Sequence, residues 1–314
     1  SLVVTAASEA TVSNCNVRGQ FLTWRQMRNV LLYKKIDDEN KIRTIDFDAL
    51  NCCIDGNTIY TLSYDSTLSQ ITVKTMDIET QEEKSSIELP CKVSYNSDLR
   101  YILQWHIHAD TLAVQTPLGC QLWNLTNGVL LYKYEVDGLE DGTIPSFQFY
   151  DGQILMYSSD QNVSMLYPNL TTLKNTKGYV PVLQRENLVF FRTPLQNISI
   201  FDMNTHKQMK LLVISQNKID NESKFALIGD VLFWTYHGYN TRSTIYSYNI
   251  RREKFETKIQ DIEQSSRYLE SFNDTLIYKT TSGISILKFQ KDPPGIVAQV
   301  ESLWKGFTSF INNL

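Results

Sequence analysis

Several features that would indicate catalysis are missing or scarce in this chain of 314 residues. It has no Gly-x-Ser-x-Gly segment and no glycine-rich phosphate-binding loop, and its 13 glycines fall mostly at turns. Paired carboxylates such as Glu82-Glu83 occur in polar runs that are typical of solvated loops, whereas acid–base catalysis needs burial that shifts a pKa. We therefore expect no catalytic residue and no cofactor.

Cysteine and histidine are scarce as well, with five and four residues. The cysteines form no CxxC pair and are odd in number, which favours buried reduced thiols in a cytoplasmic protein over a disulfide framework. His106 and His108 are two residues apart in a strand and hence on one face. No further ligand follows at metal spacing, so we expect no metal site.

Long apolar runs and excess charge of one sign are absent too. No stretch of eighteen apolar residues occurs, and Ser1 to Ala7 lack the charged start and apolar core of a signal peptide. The formal net charge of −4 gives no basic field, which disfavours nucleic-acid binding. We expect a soluble, cytoplasmic chain without a transmembrane segment or membrane-surface binding. A secreted or lumenal location is the alternative, because six Asn-x-Ser/Thr sequons begin at Asn124, Asn162, Asn169, Asn197, Asn221 and Asn273.

What the chain does contain is a repeat: a polar residue between two short apolar strands. Successive copies are 34 to 53 residues apart, and one four-stranded propeller blade takes roughly 40 to 50 residues. Glycine in Asp55-Gly56-Asn57 and Asp151-Gly152-Gln153 indicates tight turns, because it adopts positive φ without steric cost. The repeat predicts an all-β, seven-bladed β-propeller over residues 1–292. The seven polar markers are Gln20, Asn57, Asp110, Gln153, Asn187, Asp230 and Asp274.

A second recurring element is a large apolar residue, then Asp or Asn, then another apolar residue. The copies are Met76-Asp77-Ile78, Trp123-Asn124-Leu125, Phe201-Asp202-Met203 and Tyr248-Asn249-Ile250. Here the chain resembles the WD40 family, in which the third strand of a blade ends in Trp-Asp, and the resemblance covers about residues 10 to 290. It implies a scaffold, an assembly subunit or a substrate receptor. The family's Gly-His dipeptide is absent, so the usual buried His-Asp network cannot form and the propeller is a divergent one.

The two ends of the chain complete this prediction. The last unit contains three strands, and residues 2–6 have strand composition, so they would supply its fourth strand and close the ring. After Pro293-Pro294-Gly295, apolar residues recur at intervals of three and four, which predicts an amphipathic helix over residues 293–314. This helix would pack on the propeller or dock on a partner through Leu303, Trp304, Phe307 and Phe310.

The predicted binding surface is formed by the loops between the second and third strands of the blades. Rigid strands hold such loops in place, and aromatic and arginine side chains dominate protein interfaces. The expected contact residues are Trp24, Arg25, Arg28, Arg192, Tyr236, His237, Tyr239 and Arg242.

The sequence favours a non-catalytic interaction module or scaffold subunit of a multiprotein complex, which binds a protein or peptide through these loops. One alternative is the substrate-receptor part of a ubiquitin ligase whose adaptor-binding segment would precede residue 1. Another is a propeller hydrolase or oxidoreductase with a site in the central channel. That channel would be lined by the residues four positions before each marker, of which His106 and Glu270 are ionisable.

Overall fold

The structure is a computed structural model. It describes residues 2–4, 13–18, 21–27, 30–35, 43–46, 51–65, 67–91, 104–116, 119–135, 145–214, 218–237, 242–263, 269–280 and 283–288. All regular secondary structure in these ranges is β-strand, which confirms the predicted all-β class. The predicted C-terminal helix, with Leu303, Trp304, Phe307 and Phe310, lies outside the described residues.

The described strands form seven antiparallel sheets of four strands each. Sheet 1 consists of β2 (Ser13–Arg18), β3 (Phe21–Met27), β4 (Val30–Lys35) and β5 (Arg43–Asp46). Sheet 2 consists of β6 (Asn51–Asp55), β7 (Thr58–Asp65), β8 (Gln70–Asp77) and β9 (Glu83–Leu89). Sheet 3 consists of β10 (Gln104–His108), β11 (Thr111–Thr116), β12 (Gly119–Asn124) and β13 (Leu130–Glu135).

The remaining sheets follow the same order. Sheet 4 consists of β14 (Ser146–Tyr150), β15 (Gln153–Tyr157), β16 (Ser164–Tyr167) and β17 (Thr171–Thr172). Sheet 5 consists of β18 (Val180–Arg185), β19 (Leu188–Arg192), β20 (Ile198–Asp202) and β21 (Lys207–Leu212). Sheet 6 consists of β22 (Phe225–Ile228), β23 (Val231–Tyr236), β24 (Arg242–Asn249) and β25 (Lys254–Glu263). Sheet 7 consists of β26 (Leu269–Phe272), β27 (Thr275–Thr280), β28 (Gly283–Lys288) and, as its fourth strand, β1 (Leu2–Val4).

Six of the seven predicted markers lie at the turn between the first and second strands of their sheets, and Gln20 lies outside the described residues. In all six turns the residue directly before the marker has a positive φ, between 45° and 72°. Only three of the six are glycine, so half of the turns place a side chain in a left-handed backbone conformation. The six residues are Gly56, Ala109, Gly152, Glu186, Gly229 and Asn273.

The Asp and Asn residues of the second recurring element end the third strands, as predicted. In Asp77, Asn124 and Asp202 the side-chain Oδ1 accepts the backbone N–H two residues on, at 2.8 Å in each case. This local bond turns the chain out of the strand. The next residue then donates its backbone N–H to the marker's carbonyl oxygen, which joins the third strand to the first turn. The four pairs are Ile78 to Asn57, Leu125 to Asp110, Met203 to Asn187 and Ile250 to Asp230.

Consecutive sheets pack face to face, and the core is divided among the spaces between them. Phe190 of sheet 5 and Trp234 of sheet 6, both almost fully buried, belong to one such cluster. Similar clusters lie between sheets 2 and 3, 3 and 4, 4 and 5, and 6 and 7. Each fully buried large apolar side chain contributes about 1.5–3 kcal/mol. Successive face-packed four-stranded sheets are the arrangement of a β-propeller-like fold.

The antiparallel order of each sheet defines two opposite faces. We call the side of the marker turns the turn face. The loop face is the other side, where the second strand connects to the third and where one sheet connects to the next. Those predicted contact residues that the structure describes therefore belong to the loop face or to the strands next to it.

Candidate functional site

A cavity of about 810 Å³ lies between the first strands of the sheets. Residues of β6, β10, β14, β18, β22 and β26 line it. Five positions that lie four residues before a marker are among its lining residues, as the channel argument expected: His106, Phe149, Leu183, Ala226 and Glu270. The cavity thus lies along the common axis of the described inner strands.

Polar contacts join neighbouring inner strands near the turn face. The Asp151 carboxylate lies 3.0 Å from His106 Nε2 and 3.3 Å from His108 Nδ1. The Asp151 backbone N–H donates to Gln184 Oε1 at 3.0 Å, and Gln184 Nε2 donates back to the Asp151 carbonyl oxygen. The two histidines therefore connect sheet 3 to sheet 4. Across the described residues, no group of three His, Cys, Asp or Glu side chains has the geometry to hold a metal ion.

The loop-face mouth of the cavity is shaped by the segment Lys218–Lys224, which we call the rim segment. It connects sheet 5 to sheet 6 and is tied to β23 at both ends. Trp234 Nε1 donates to the Lys218 carbonyl oxygen at 2.6 Å. At the other end the Lys224 N–H donates to Thr235 Oγ1 at 2.9 Å, and the Thr235 N–H donates to the Lys224 carbonyl oxygen at 3.0 Å. These bonds give an irregular segment a fixed position on a regular strand.

Aromatic packing holds the same strand in place beneath the rim segment. The Trp234 ring stacks between Phe225, at 6.5 Å, and Tyr246, at 5.8 Å. Lys218 Nζ lies 4.1 Å from the centre of the Phe255 ring, a cation–π contact. The rim segment is consequently anchored to a rigid aromatic layer.

Asp220 organises the middle of the rim segment. Its carboxylate accepts hydrogen bonds from the His237 N–H at 2.8 Å, the Glu222 N–H at 2.9 Å and the Ser223 hydroxyl at 3.1 Å. His237 Nδ1 lies 3.4 Å from the same carboxylate. Burial raises the pKa of Asp220, but these donors outweigh it and hold the pKa below its ordinary value. The carboxylate is therefore ionised at neutral pH, and donors of the rim segment and of His237 satisfy it.

Arg192, the last residue of β19, reaches from sheet 5 to the rim segment. Its guanidinium donates to Asn221 Oδ1 and, at 3.4 Å, to Gln196 Oε1. Burial lowers the pKa of Arg192, while the nearby Asp220 and Tyr157 oppose that shift. Both direct acceptors are neutral amides, so the cation is partly desolvated without a carboxylate in salt-bridge contact among the described residues.

The predicted contact residues have the following positions. Arg192 and Tyr236 end the strands that lead into the loops, His237 follows Tyr236, and Arg242 begins β24. Trp24 and Arg25 lie inside β3, before the loop that was expected to carry them. Arg28 and Tyr239 lie outside the described residues.

Asp220 and Asn221 bring together two residues on the list of predicted contacts, since Asn221 binds Arg192 and Asp220 binds His237. The rim segment itself was not predicted from the sequence. Its one signal was the sequon at Asn221, which was interpreted as a possible glycan acceptor or a turn residue.

Several of the other sequon asparagines have a structural role. Asn162 Oδ1 accepts the Thr176 N–H at 2.9 Å, and Asn197 Oδ1 accepts the Ile214 N–H at 3.1 Å. Asn124 caps a turn, as described above. These amides are used within the chain, which accounts for their presence without a glycan.

Comparisons with known proteins give a fold and no family. No family model matches the chain, and no curated protein sequence matches it. Similar solved structures include the computationally designed Ika8 protein, with a TM-score of 0.54 and 10% identity over 90% of this chain and 98% of that chain. They also include BamB from Moraxella catarrhalis, with a TM-score of 0.49 and 11% identity over 87% of this chain and 81% of that chain. At this identity the similarity to Ika8 concerns the fold alone. In the part of the chain that the structure describes, no helix is long and apolar enough to span a membrane.

Proposed function

We propose that this chain is a non-catalytic protein-interaction module, a divergent WD40-like propeller of seven blades that binds a protein or peptide through its loop face. One observation carries the proposal. Arg192 and His237 come from different sheets, and adjacent residues of the rim segment bind them: Asn221 accepts from the Arg192 guanidinium at the mouth of the cavity, and Asp220 accepts from the His237 backbone N–H.

The physical support is preorganisation. A binding surface loses less conformational entropy on association when its side chains are already fixed. The rim segment is fixed by Trp234 and Thr235, and the loop after Arg192 is closed by a bond from the Gln196 N–H to the Thr193 carbonyl oxygen at 2.9 Å. Arginine and tyrosine on such a rigid frame are residues that dominate interface energies.

The proposal also gives the seven sheets a common role. Each sheet is one blade, and the pairing of β1 with β28 closes the ring. In a closed ring the loops of the loop face form one continuous surface around the axis. A scaffold or assembly subunit binds its partner on such a surface.

The first test is affinity capture from native lysate, followed by mass spectrometry. The bait proteins are the wild type, Tyr239→Ala/Arg242→Ala, and a chain without residues 293–314. Lys207→Ala is the matched control, because Lys207 is exposed and begins β21 next to the turn face. We expect a partner that the loop-face variant loses and the control retains. If the loop-face variant and the truncated chain capture the partner as well as the wild type does, the partner binds neither the loop face nor residues 293–314.

A purified partner then allows hydrogen exchange to locate the contact. Protection on binding should concentrate in residues 192–197, 218–224 and 236–242. Protection confined to the marker turns would contradict a loop-face site.

An enzyme is the second candidate, because His106 and Glu270 both line the cavity. Its test is native mass spectrometry and absorbance of the purified chain for a bound cofactor, followed by a hydrolase substrate panel. Activity lost in both His106→Ala and Glu270→Gln would favour this candidate over the interaction module.

A further inference from the structure

The loop-face mouth has the chemistry of a carboxylate-binding site. Arg192, Asn221 and Lys224 line the cavity together at this end. A guanidinium has five N–H donors, and Arg192 uses its Nη1 on two neutral amides, so donors remain for a ligand. Because Asn221 accepts from Arg192 through Oδ1, its Nδ2 group is directed away from that bond and can donate as well. Lys224 is exposed and adds a second positive charge.

The charge of Asp220 acts on Arg192 from a distance, but no described carboxylate forms a salt bridge with the guanidinium. The Asp220 carboxylate is occupied by three donors of its own loop and of His237, and it does not line the cavity. Arg192 is thus a half-buried cation whose direct hydrogen-bond acceptors are uncharged. Buried charges in proteins are usually paired, and a carboxylate is the partner that a guanidinium binds in a bidentate manner.

The charge of the side chains that line the cavity changes from positive at the loop-face mouth to negative towards the turn face. Asp55 and Asp151 line it near the turn face, and Glu270 lines it at the middle level. A long polyanion entering from the loop face would meet these carboxylates, whereas a single carboxylate would stop at the mouth. This polarity and the net charge of −4 favour a peptide with an isolated carboxylate over a nucleic acid.

We propose that the loop-face mouth binds a carboxylate of a peptide partner through Arg192, Asn221 and Lys224. The carboxylate is either a Glu or Asp side chain or the carboxyl terminus of the partner. This inference rests on the proposed interaction function and specifies the ligand group that the same surface recognises.

The test uses three probe peptides labelled at the amino terminus with an uncharged BODIPY dye: GSEESG with an amidated end, GSQQSG with a free carboxyl end, and GSQQSG with an amidated end. Fluorescence anisotropy measures the affinity, and the Arg Nε–Hε resonances of the isotopically labelled protein locate the contact. We expect the uncharged peptide to bind at least about tenfold more weakly than one of the two carboxylate peptides, because a charged hydrogen bond is lost. Which of the two binds identifies a side-chain or a terminal carboxylate.

The variants are Arg192→Gln and Lys224→Gln, with Lys207→Gln as the control of equal charge change on the turn face. We expect the first two to lose the preference for carboxylate and the control to keep it, with thermal melts confirming that each variant is folded. Equal binding of all three peptides, or an equal loss in Lys207→Gln, would overturn the inference. If Arg192→Gln still captures the cellular partner that Tyr239→Ala/Arg242→Ala loses, the carboxylate site is wrong while the interaction function stands.

Discussion

Replacement of Asp220 should loosen the rim segment and destabilise the protein measurably. Asp220→Ala leaves three donors without their acceptor: the N–H groups of His237 and Glu222 and the hydroxyl of Ser223. A hydrogen bond to a charged group is worth about 1.5–3 kcal/mol. The Asp220 side chain is 28% exposed, so water partly replaces the lost acceptor. We expect a loss of about 2 kcal/mol in unfolding free energy, which lowers Tm by about 3 °C in a chain of this size.

The effect of this substitution should depend on pH. Because the folded-state pKa of Asp220 is lowered, its contribution is present above the ordinary aspartate value of about 3.9 and is lost as the pH falls through the folded-state pKa. The difference in unfolding free energy between wild type and Asp220→Ala should therefore be largest at neutral pH and should become smaller in acid.

Calorimetric melts over a pH series measure both quantities. Asp230→Ala is the control, since Asp230 lies in the exposed turn between β22 and β23. Among the described residues, the hydrogen bond at Asp230 involves its backbone carbonyl oxygen and not its side chain. A Tm for Asp220→Ala within about 1 °C of both wild type and control at pH 7 would refute the organising role of Asp220.

Three further predictions concern the sheets. Ser199→Ala should raise the unfolding free energy by about 1 kcal/mol in urea titrations, because the fully buried Ser199 hydroxyl has no hydrogen-bond partner among the described residues; a loss of similar size would contradict this. Gly119→Ala should cost more than about 3 kcal/mol, since a Cβ there would lie 2.0 Å from a backbone oxygen at a φ of 136°, and Gly152→Asn, at an open turn position, should be tolerated. Burial raises the pKa of the Cys91 and Cys120 thiols to about 12, so peptide mass spectrometry should find them alkylated by iodoacetamide far more slowly in the native than in the urea-unfolded chain. Equal rates would show that these thiols are accessible.

The periodic part of the fold was predictable because it depends on local chemistry. Asp77 and Asn124 end their strands through bonds to amides two residues away, so the signal lies within a few letters of sequence. The marker turns are equally local, since a left-handed residue precedes each described marker. Short-range geometry of this kind recurs at a fixed period and can be found without a structure.

The candidate site was predictable only in part, because its organising segment is not periodic. Lys218–Lys224 connects two sheets, and its position depends on contacts to Arg192 and Trp234, which are distant in sequence. The sequence pattern predicted that Arg192 and His237 lie at strand ends. It did not predict that the adjacent residues Asn221 and Asp220 bind them. Similarly, the spacing of His106 and His108 predicted a shared face without showing that Asp151 lies opposite.

The pairing of β1 with β28 has a consequence for folding kinetics. Leu2 lies opposite Ile286, 284 positions along the chain, whereas the other strands pair with sequence neighbours. By the logarithmic dependence of loop entropy on length, bringing such distant strands together costs roughly 4 kcal/mol more than forming a local hairpin. The strand β1 has three residues, so its few backbone hydrogen bonds offset little of that entropy loss until β28 is in place. This seam should therefore form last during folding and open first under native conditions, as the earliest exchanging part of the sheets.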